Sequence, residues 1–297
     1  MQNQILDTIY VKEVEPEVRL SDFLVDKSIH LPSKKSIKKA LKKGLVYKNK
    51  KLAHSGDFVQ VGDVLELIKE DVPVKKIFKL DIEVVFEDDE IAVVNKPAGF
   101  PVSGNYFKTI ENALPHNLVT SKSQDALDFF RPIHRLDNPT SGLLIVAKTK
   151  SARVFLGQEL EKGGIQKGYS AIVQGEICEK GTISIPINRQ KATTHFEVLA
   201  SVPSLRSVQL SQIQVGIETG RTHQIRKHVS AIGHPILGDK IYGTTGNILL
   251  DKGLFLCSNF ISLRHPKTLK LMTFHIDPPN KFATQLNKEK MRFEKFN

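Results

Sequence analysis

The densest run of chemically capable side chains is RPIHRLDNPTSGLLIVAKT, residues 131–149. An imidazole, a guanidinium and a carboxylate (His134, Arg135 and Asp137) precede a turn and an apolar run. If the backbone is extended there, Arg135 and Asp137 point to the same side. A fixed carboxylate can serve as a nucleophile or as an electrostatic stabiliser. Asp137-Asn138-Pro139-Thr140-Ser141-Gly142 is also ordinary turn composition, so spacing alone reads Asp137 first as a turn former. A second polar run, ETGRTHQIRKH, offers Arg221, His223, Arg226 and His228. The two histidines are five apart, which misaligns them on a helix and argues against a metal pair. No phosphate-binding G-x-x-x-x-G-K-[ST], dinucleotide glycine pattern, H-E-x-x-H or G-x-S-x-G is present. Cys178 and Cys257 are too few for a disulfide framework or a Cys-rich zinc site. These patterns support neither ATP, NAD nor metal chemistry, and no cofactor is expected.

Short apolar, β-branched runs must carry these groups. IAVVN (91–95), LLIVAK (143–148) and YSAIV (169–173) read as strands, the last with Tyr169 as an ordinary core residue. RSVQLSQIQVGIET (206–219) alternates, with an extra residue at Ser211-Gln212 that suits a bulge. ARVFLGQELEKGG (152–164) and THQIRKHVSAIG (222–233) have helical periods and glycine stops. Strands and helices mix without a strict βαβ rhythm. That predicts an α+β domain with a mixed, mainly antiparallel β-sheet flanked by helices.

The 297 residues carry a net charge of +11, and their 40% hydrophobic content is enough for a real core. Residues 34–51, KKSIKKALKKGLVYKNKK, hold nine lysines and no acid, so this window carries +9 of that excess. Lys34, Lys35, Lys38, Lys39, Lys42 and Lys43 recur in pairs at a spacing of four. They form one helix surface, with Ile37, Ala40 and Leu41 on the other. Pro32-Ser33 supplies a turn and cap, and Gly44 a stop. Like charges so close repel, and a phosphate array would relieve the repulsion by releasing counterions. The helix has few large apolar residues and no aromatic anchor, which argues against a membrane surface. There is no secretory leader and no apolar run near the roughly 20 residues that span a bilayer, so the expectation is a cytoplasmic protein.

Larger patterns assign these pieces. RLSDFL, the basic helix, LVYKNKK and VGDVLEL, within residues 18–67, resemble the S4 RNA-binding domain. HRLDNPTSGLL resembles the hallmark of the RluA-type pseudouridine synthases. EVVFEDDEIAVVNKPAGFPV, QKGYSAIVQGEI, ETGRTHQIRKHVSAIGHPILGDKIYG and LFLCSNFISLRHPKTLKLMTFHIDPP resemble further segments of that family, in its order. The implied organisation is an N-terminal extension (1–17), a small S4-like α/β module (18–68), a linker (69–80), a pseudouridine synthase catalytic domain (81–287) and a charged C-terminus, a frayed tail or terminal helix (288–297).

The resemblance implies isomerisation of uridine to pseudouridine in structured RNA, without metal or cofactor. Large-subunit ribosomal RNA is the first candidate target and transfer RNA the second. A non-catalytic ribosome-assembly factor is disfavoured because the matched elements are intact. Asp137 takes the place of the family's catalytic carboxylate. Arg226 is its guanidinium partner, ahead of Arg221. Tyr169 is the tyrosine that stacks on the base or shares in proton removal at C5. Arg135 is the cation that enters the RNA where the flipped nucleotide had stacked. Arg221 and the six paired lysines are read as RNA contacts. His134 is read as structural, and Lys96-Pro97 as a turn in which Lys96 can contact phosphate. Ser103-Gly104-Asn105 stands where the family has a His-Pro pair, and residues 103–131 bear on target choice. A monomer is expected.

Overall fold

The structure is a computed structural model that describes residues 4–28, 30, 31, 33–69, 76–244, 249 and 251–296. It divides into two compact units, Met1–Lys75 and Lys76–Asn297.

The first unit contains β1 (Ile5–Tyr10), α1 (Leu20–Phe23), α2 (Lys34–Lys42), β2 (Val46–Lys48), β3 (Lys51–Leu52) and β4 (Val64–Ile68). Its four-stranded antiparallel sheet has the order β1-β4-β2-β3. The lysine-rich sequence forms α2 because its cap and its apolar stripe agree. The Ser33 side chain accepts from the Ser36 N–H, and the Ser36 side chain accepts from the Ser33 N–H. Ile37, Ala40 and Leu41 are buried with Leu20, Leu24 and Val46, and the six paired lysines are exposed. Gly44 ends the helix at φ +69. Pro32, expected to supply the turn, lies outside the described residues. Residues 1–17 are not a free extension. Ile9 pairs with Leu65 and Tyr10 with Val64, and Val11 is buried in the unit's core.

The second unit contains β5 (Glu83–Glu87), β6 (Ile91–Lys96), α3 (Ile110–Asn117), β7 (Ala126–Pro132), β8 (Ser141–Thr149), α4 (Lys150–Glu161) and β9 (Gln166–Gln174). There follow β10 (Lys180–Ile183), β11 (Thr194–Ser204), β12 (Val208–Ile217), α5 (Gln224–Ala231), β13 (Leu256–Arg264), β14 (Leu271–His275) and α6 (Lys281–Phe296). A ten-stranded sheet runs β10-β11-β12-β9-β13-β8-β6-β5, with β14 on β13 and β7 on β8. The pairings are antiparallel except β13 with β8. The expected mixed, mainly antiparallel α+β sheet is therefore observed.

The central strands are apolar on both faces because both are covered. Val94, Leu144 and Val146 pack with Ile110 and Leu114 of α3, while Val93, Leu143 and Ile145 pack with Ala152 and Leu156 of α4. At the parallel seam Ser258 faces Gly142, which has φ +113. A Cβ on Gly142 would lie 2.1 Å from the Ser258 carbonyl oxygen, so only glycine admits this approach.

Two sequence readings need correction, and a third is decided. The irregularity near Ser211-Gln212 lies on the opposite strand. Register steps from Val198↔Ile213 to Ala200↔Gln212, leaving Leu199 as the extra residue, and β12 is unbroken against β9. Of the two readings for the charged C-terminus, a frayed tail or a terminal helix, the helix holds: residues 288–296 are the last turns of α6, and buried Glu289 there accepts from the Ser204 hydroxyl at 2.7 Å. The linker is shorter than expected, because the Phe78 N–H donates to the Asn112 carbonyl within the second unit. Residues 70–75 of that linker lie outside the described residues.

The charge also divides differently from the lysine window. Residues 1–75 hold 14 basic and 11 acidic side chains, while residues 76–297 hold 29 and 21. Acids elsewhere in the first unit offset α2, and the larger unit carries most of the net positive charge.

Candidate active site

The segment between β7 and β8 is held from below by a buried cation. Lys96 ends β6 fully buried, and its ammonium donates to the carbonyls of Pro97 (3.0 Å), Asn138 (3.2 Å) and Thr140 (2.7 Å). The Gly99 N–H donates to the Asn138 carbonyl at 2.8 Å. The Thr140 N–H donates to the Asp137 carbonyl at 3.0 Å, so Asp137 does begin a turn. Burial pushes Lys96 down to about 8, opposed by the nearby Asp137 charge.

Leu136 is the anchor of this segment, buried between an exposed Arg135 and a half-buried Asp137. Both polar neighbours face the same clefts. The His134 Nε2 accepts from the Ile145 N–H at 3.2 Å. Burial first, and Lys167 second, push His134 to about 3. It is a neutral clip to β8, in keeping with its structural reading.

Helix α5 supplies the opposing cation. Arg226 is 3% exposed, with Nε and Nη2 donating to the two oxygens of Asp239 at 2.7 and 2.8 Å. Its Nη1 donates to Asp137 Oδ2 at 3.3 Å, and its guanidinium carbon lies 5.2 Å from the Tyr242 ring centroid. Burial works against ionisation of Asp239. Arg226 and the N–H groups of Ile241 and Tyr242 outweigh it and hold that carboxyl below its ordinary range. Asp239 is itself 1% exposed, so the forked pair is a buried fixture.

Tyr169 lies on β9 and is 6% exposed. Burial, then the Asp137 charge, push its phenol well above the usual range. Arg221 is exposed, and its Nε donates to the Lys191 carbonyl at 3.2 Å. Gln224 knits the approach to α5. It accepts from the Thr219 hydroxyl and the Arg221 N–H, and donates to the Thr193 carbonyl.

Asp137, Tyr169, Arg226, Arg135 and Arg221 line one cavity of about 720 Å³. A second of about 660 Å³ is lined by Arg135, Asp137, Arg226, Asp239 and Lys240 among others. Among the described residues, Asp137 is the one carboxylate common to both. Lys34, Lys35, Lys38, Lys39, Lys42 and Lys43 belong to the first unit. Among the described residues, no three His, Cys, Asp or Glu side chains are grouped to hold a metal. No described helix is long and apolar enough to cross a membrane. Sequence reasoning missed Asp239 and Tyr242 as site residues and weighed His223 only as a metal ligand. The available signal was GDKIYG, which follows HQIRKH closely but carries no spacing that announces a buried ion pair.

This mixed sheet, with a buried arginine set against a cleft carboxylate, has the fold of the pseudouridine synthases. The family model described as RNA pseudouridylate synthase matches residues 90–231. A solved human structure, RNA Pseudouridylate Synthase Domain Containing 4, shares the fold with TM-score 0.56 at 21% identity, over 69% of this chain and 92% of its own. The chain is 30% identical to an uncharacterized RNA pseudouridine synthase of Aquifex aeolicus, over 95% of this chain and 96% of that one. It is 39% identical to ribosomal large subunit pseudouridine synthase D of Zymomonas mobilis, over 55% and 56%. It is 31% identical to tRNA pseudouridine synthase C of Haemophilus ducreyi, over 65% and 90%. The chain belongs to the RNA pseudouridine synthase family.

Proposed function

We propose that the larger unit isomerises specific uridines of structured RNA, large-subunit ribosomal RNA ahead of transfer RNA, with Asp137 as the reacting carboxylate. The observation that carries this reading is the placement of Asp137. It alone among the described lining acids borders both cavities, and its Oδ2 is met by an arginine already locked to Asp239. Bound RNA would exclude water, which raises the cost of a bare carboxylate, and the Arg226 guanidinium offsets that cost. The ionised oxygens then either attack C1′ of the ribose or assist proton loss to a glycal. In both routes the bond from C1′ to N1 breaks, the uracil turns, a bond from C1′ to C5 forms, and the isomerisation is completed when C5 loses its proton and N1 gains one.

Tyr169 serves best as a stacking surface and hydroxyl donor. A phenol raised by burial and by Asp137 holds its proton and is a poor base. Arg135 is exposed beside Asp137, where its planar cation can fill the gap left by an extruded nucleotide. Arg221 and the exposed lysines of α2, in a module of S4 type, bind phosphates.

The ribosomal target is supported by the name of the Zymomonas relative, and the transfer-RNA alternative by that of the Haemophilus relative. Mapping pseudouridines in both RNAs from a deletion strain distinguishes them. A site lost from ribosomal RNA, restored by the parent gene and not by Asp137→Ala, is the expected result. Loss confined to transfer RNA would reverse the order of targets, and restoration by Asp137→Ala would remove Asp137 from the chemistry.

A further inference from the structure

His223 borders both cavities. It stands immediately before α5 with a left-handed backbone, φ 58, and its side chain makes no capping bond to the helix. A residue with a β-carbon adopts that conformation at a cost, which surrounding structure must impose. The ring explains what is gained. Its Nδ1 lies 3.0 Å from the Tyr242 hydroxyl, and the two rings meet edge to face at 5.7 Å. Its Nε2 lies 3.7 Å from Asp137 Oδ1, the oxygen that Arg226 does not reach.

A phenol has one hydrogen. If Tyr242 donates it to Nδ1, that nitrogen holds the lone pair and Nε2 carries the hydrogen of the neutral ring. The N–H then faces a carboxylate. The other tautomer would turn a lone pair towards that negative charge. The groups around the ring agree with a neutral state. Burial pushes His223 below its ordinary value, aided by Arg226 and Lys227 of α5. Asp137 and Asp239 oppose that shift.

We propose that His223, with its tautomer set by Tyr242, is a positioning residue that holds Asp137 Oδ1 while Arg226 holds Oδ2. The inference rests on Asp137 being the reacting carboxylate. The 3.7 Å separation is too long for a hydrogen bond, and the proposal requires that it shorten when RNA excludes water from the cleft. With both oxygens held, the carboxylate cannot rotate away from C1′.

Two substitutions separate positioning from mere support of the α5 entrance. Gln places its amide nitrogen near the site of Nε2 and keeps the contact to Asp137. Asn places its amide oxygen near the site of Nδ1, where it accepts from Tyr242, and suits the left-handed backbone better. Single-turnover rates and KM on an RNA substrate are measured for His223→Gln, His223→Asn, His223→Ala and Tyr242→Phe, with Asp137→Asn as control.

Positioning predicts His223→Gln within about threefold of the parent. It predicts a fall of about tenfold in rate for His223→Asn and His223→Ala at unchanged KM, the order of one hydrogen bond to a charged group. Tyr242→Phe should lie between the parent and His223→Asn, and it reads the relay even if a His223 variant fails to fold. Asn equal to or better than Gln overturns the proposal. Full activity in Asp137→Asn overturns the reading of Asp137 itself, a separate outcome.

Discussion

Arg226 directs two of its donors to Asp239 and one to Asp137, so the cation facing the cleft is anchored by an acid that lies outside the main cavity. A guanidinium held by a buried fork has little freedom to follow another partner. Asp239 thus fixes where positive charge meets Asp137 Oδ2.

Asp239→Asn should therefore damage catalysis without touching substrate. Removing one partner of a buried pair costs about 3–5 kcal/mol, because the remaining charge is left uncompensated. The variant should unfold at lower denaturant, and its single-turnover rate should fall about tenfold or more. The pH dependence has a defined sign. Asp239 is depressed in the folded state, so its contribution is present above the unfolded value of about 4 and is lost as pH falls below it. Urea unfolding of parent and variant between pH 3 and 7 should converge at the acid end. Parallel curves would mean that Asp239 is not the linked group.

Gly142 can be tested by the smallest possible addition. A methyl group there would meet the Ser258 carbonyl oxygen at 2.1 Å, and its φ of +113 already disfavours a side chain. Gly142→Ala should open the β8–β13 seam and cost about 2 kcal/mol or more, as overpacking plus backbone strain. Because the seam begins just after the turn that carries Asp137, activity should fall more than Tm predicts. A variant with parental Tm and rate would show that the seam yields freely.

The strands beside that seam were legible in the sequence because both of their faces are buried. Ile91–Lys96 and Ser141–Thr149 read as continuous apolar runs for that reason. Helix α2 was legible because a cap, an apolar stripe and a glycine stop agree. Asp137 was not legible from spacing, since the same residues also form a turn that Lys96 clamps, and the family pattern was needed. Arg226 lies 89 positions from Asp137, and nothing local signals their pairing or the Asp239 fork. The bulge was assigned to the wrong strand because register belongs to a pair of strands, and Leu199 lies on the partner. Strand β1 was missed because a half-exposed edge strand has little hydrophobic alternation.

Lys96 offers a prediction with an unusual direction. Its folded value is about 8 against an ordinary 10.5, so between these limits the unfolded chain binds the proton and the folded chain does not. Stability from this group should rise with pH through that window, at a slope of up to about 1.4 kcal/mol per pH unit. Lys96→Met should abolish the rise. It should also lower stability at pH 7 by about 1–3 kcal/mol, because the Asn138 and Thr140 carbonyls lose their donor. Chemical denaturation at pH 7, 8, 9 and 10 measures both effects, and an unchanged pH trend in Lys96→Met would assign the linkage elsewhere.

The exposed lysines of α2 should act on affinity and leave the chemistry alone. Each phosphate they neutralise releases counterions, so binding weakens with salt in proportion to the contacts made. Replacing Lys38, Lys39, Lys42 and Lys43 with Ala removes four charges from a face that buries no side chain of the four. RNA affinity should fall, and the slope of log affinity against log salt should flatten by up to about 3 for structured RNA. The single-turnover rate at saturating RNA should stay within about twofold of the parent, because Asp137 and its partners lie in the other unit. Part of the salt dependence should survive, since the larger unit carries 29 basic against 21 acidic residues. A slope unchanged by all four substitutions would place the phosphate contacts on that unit instead.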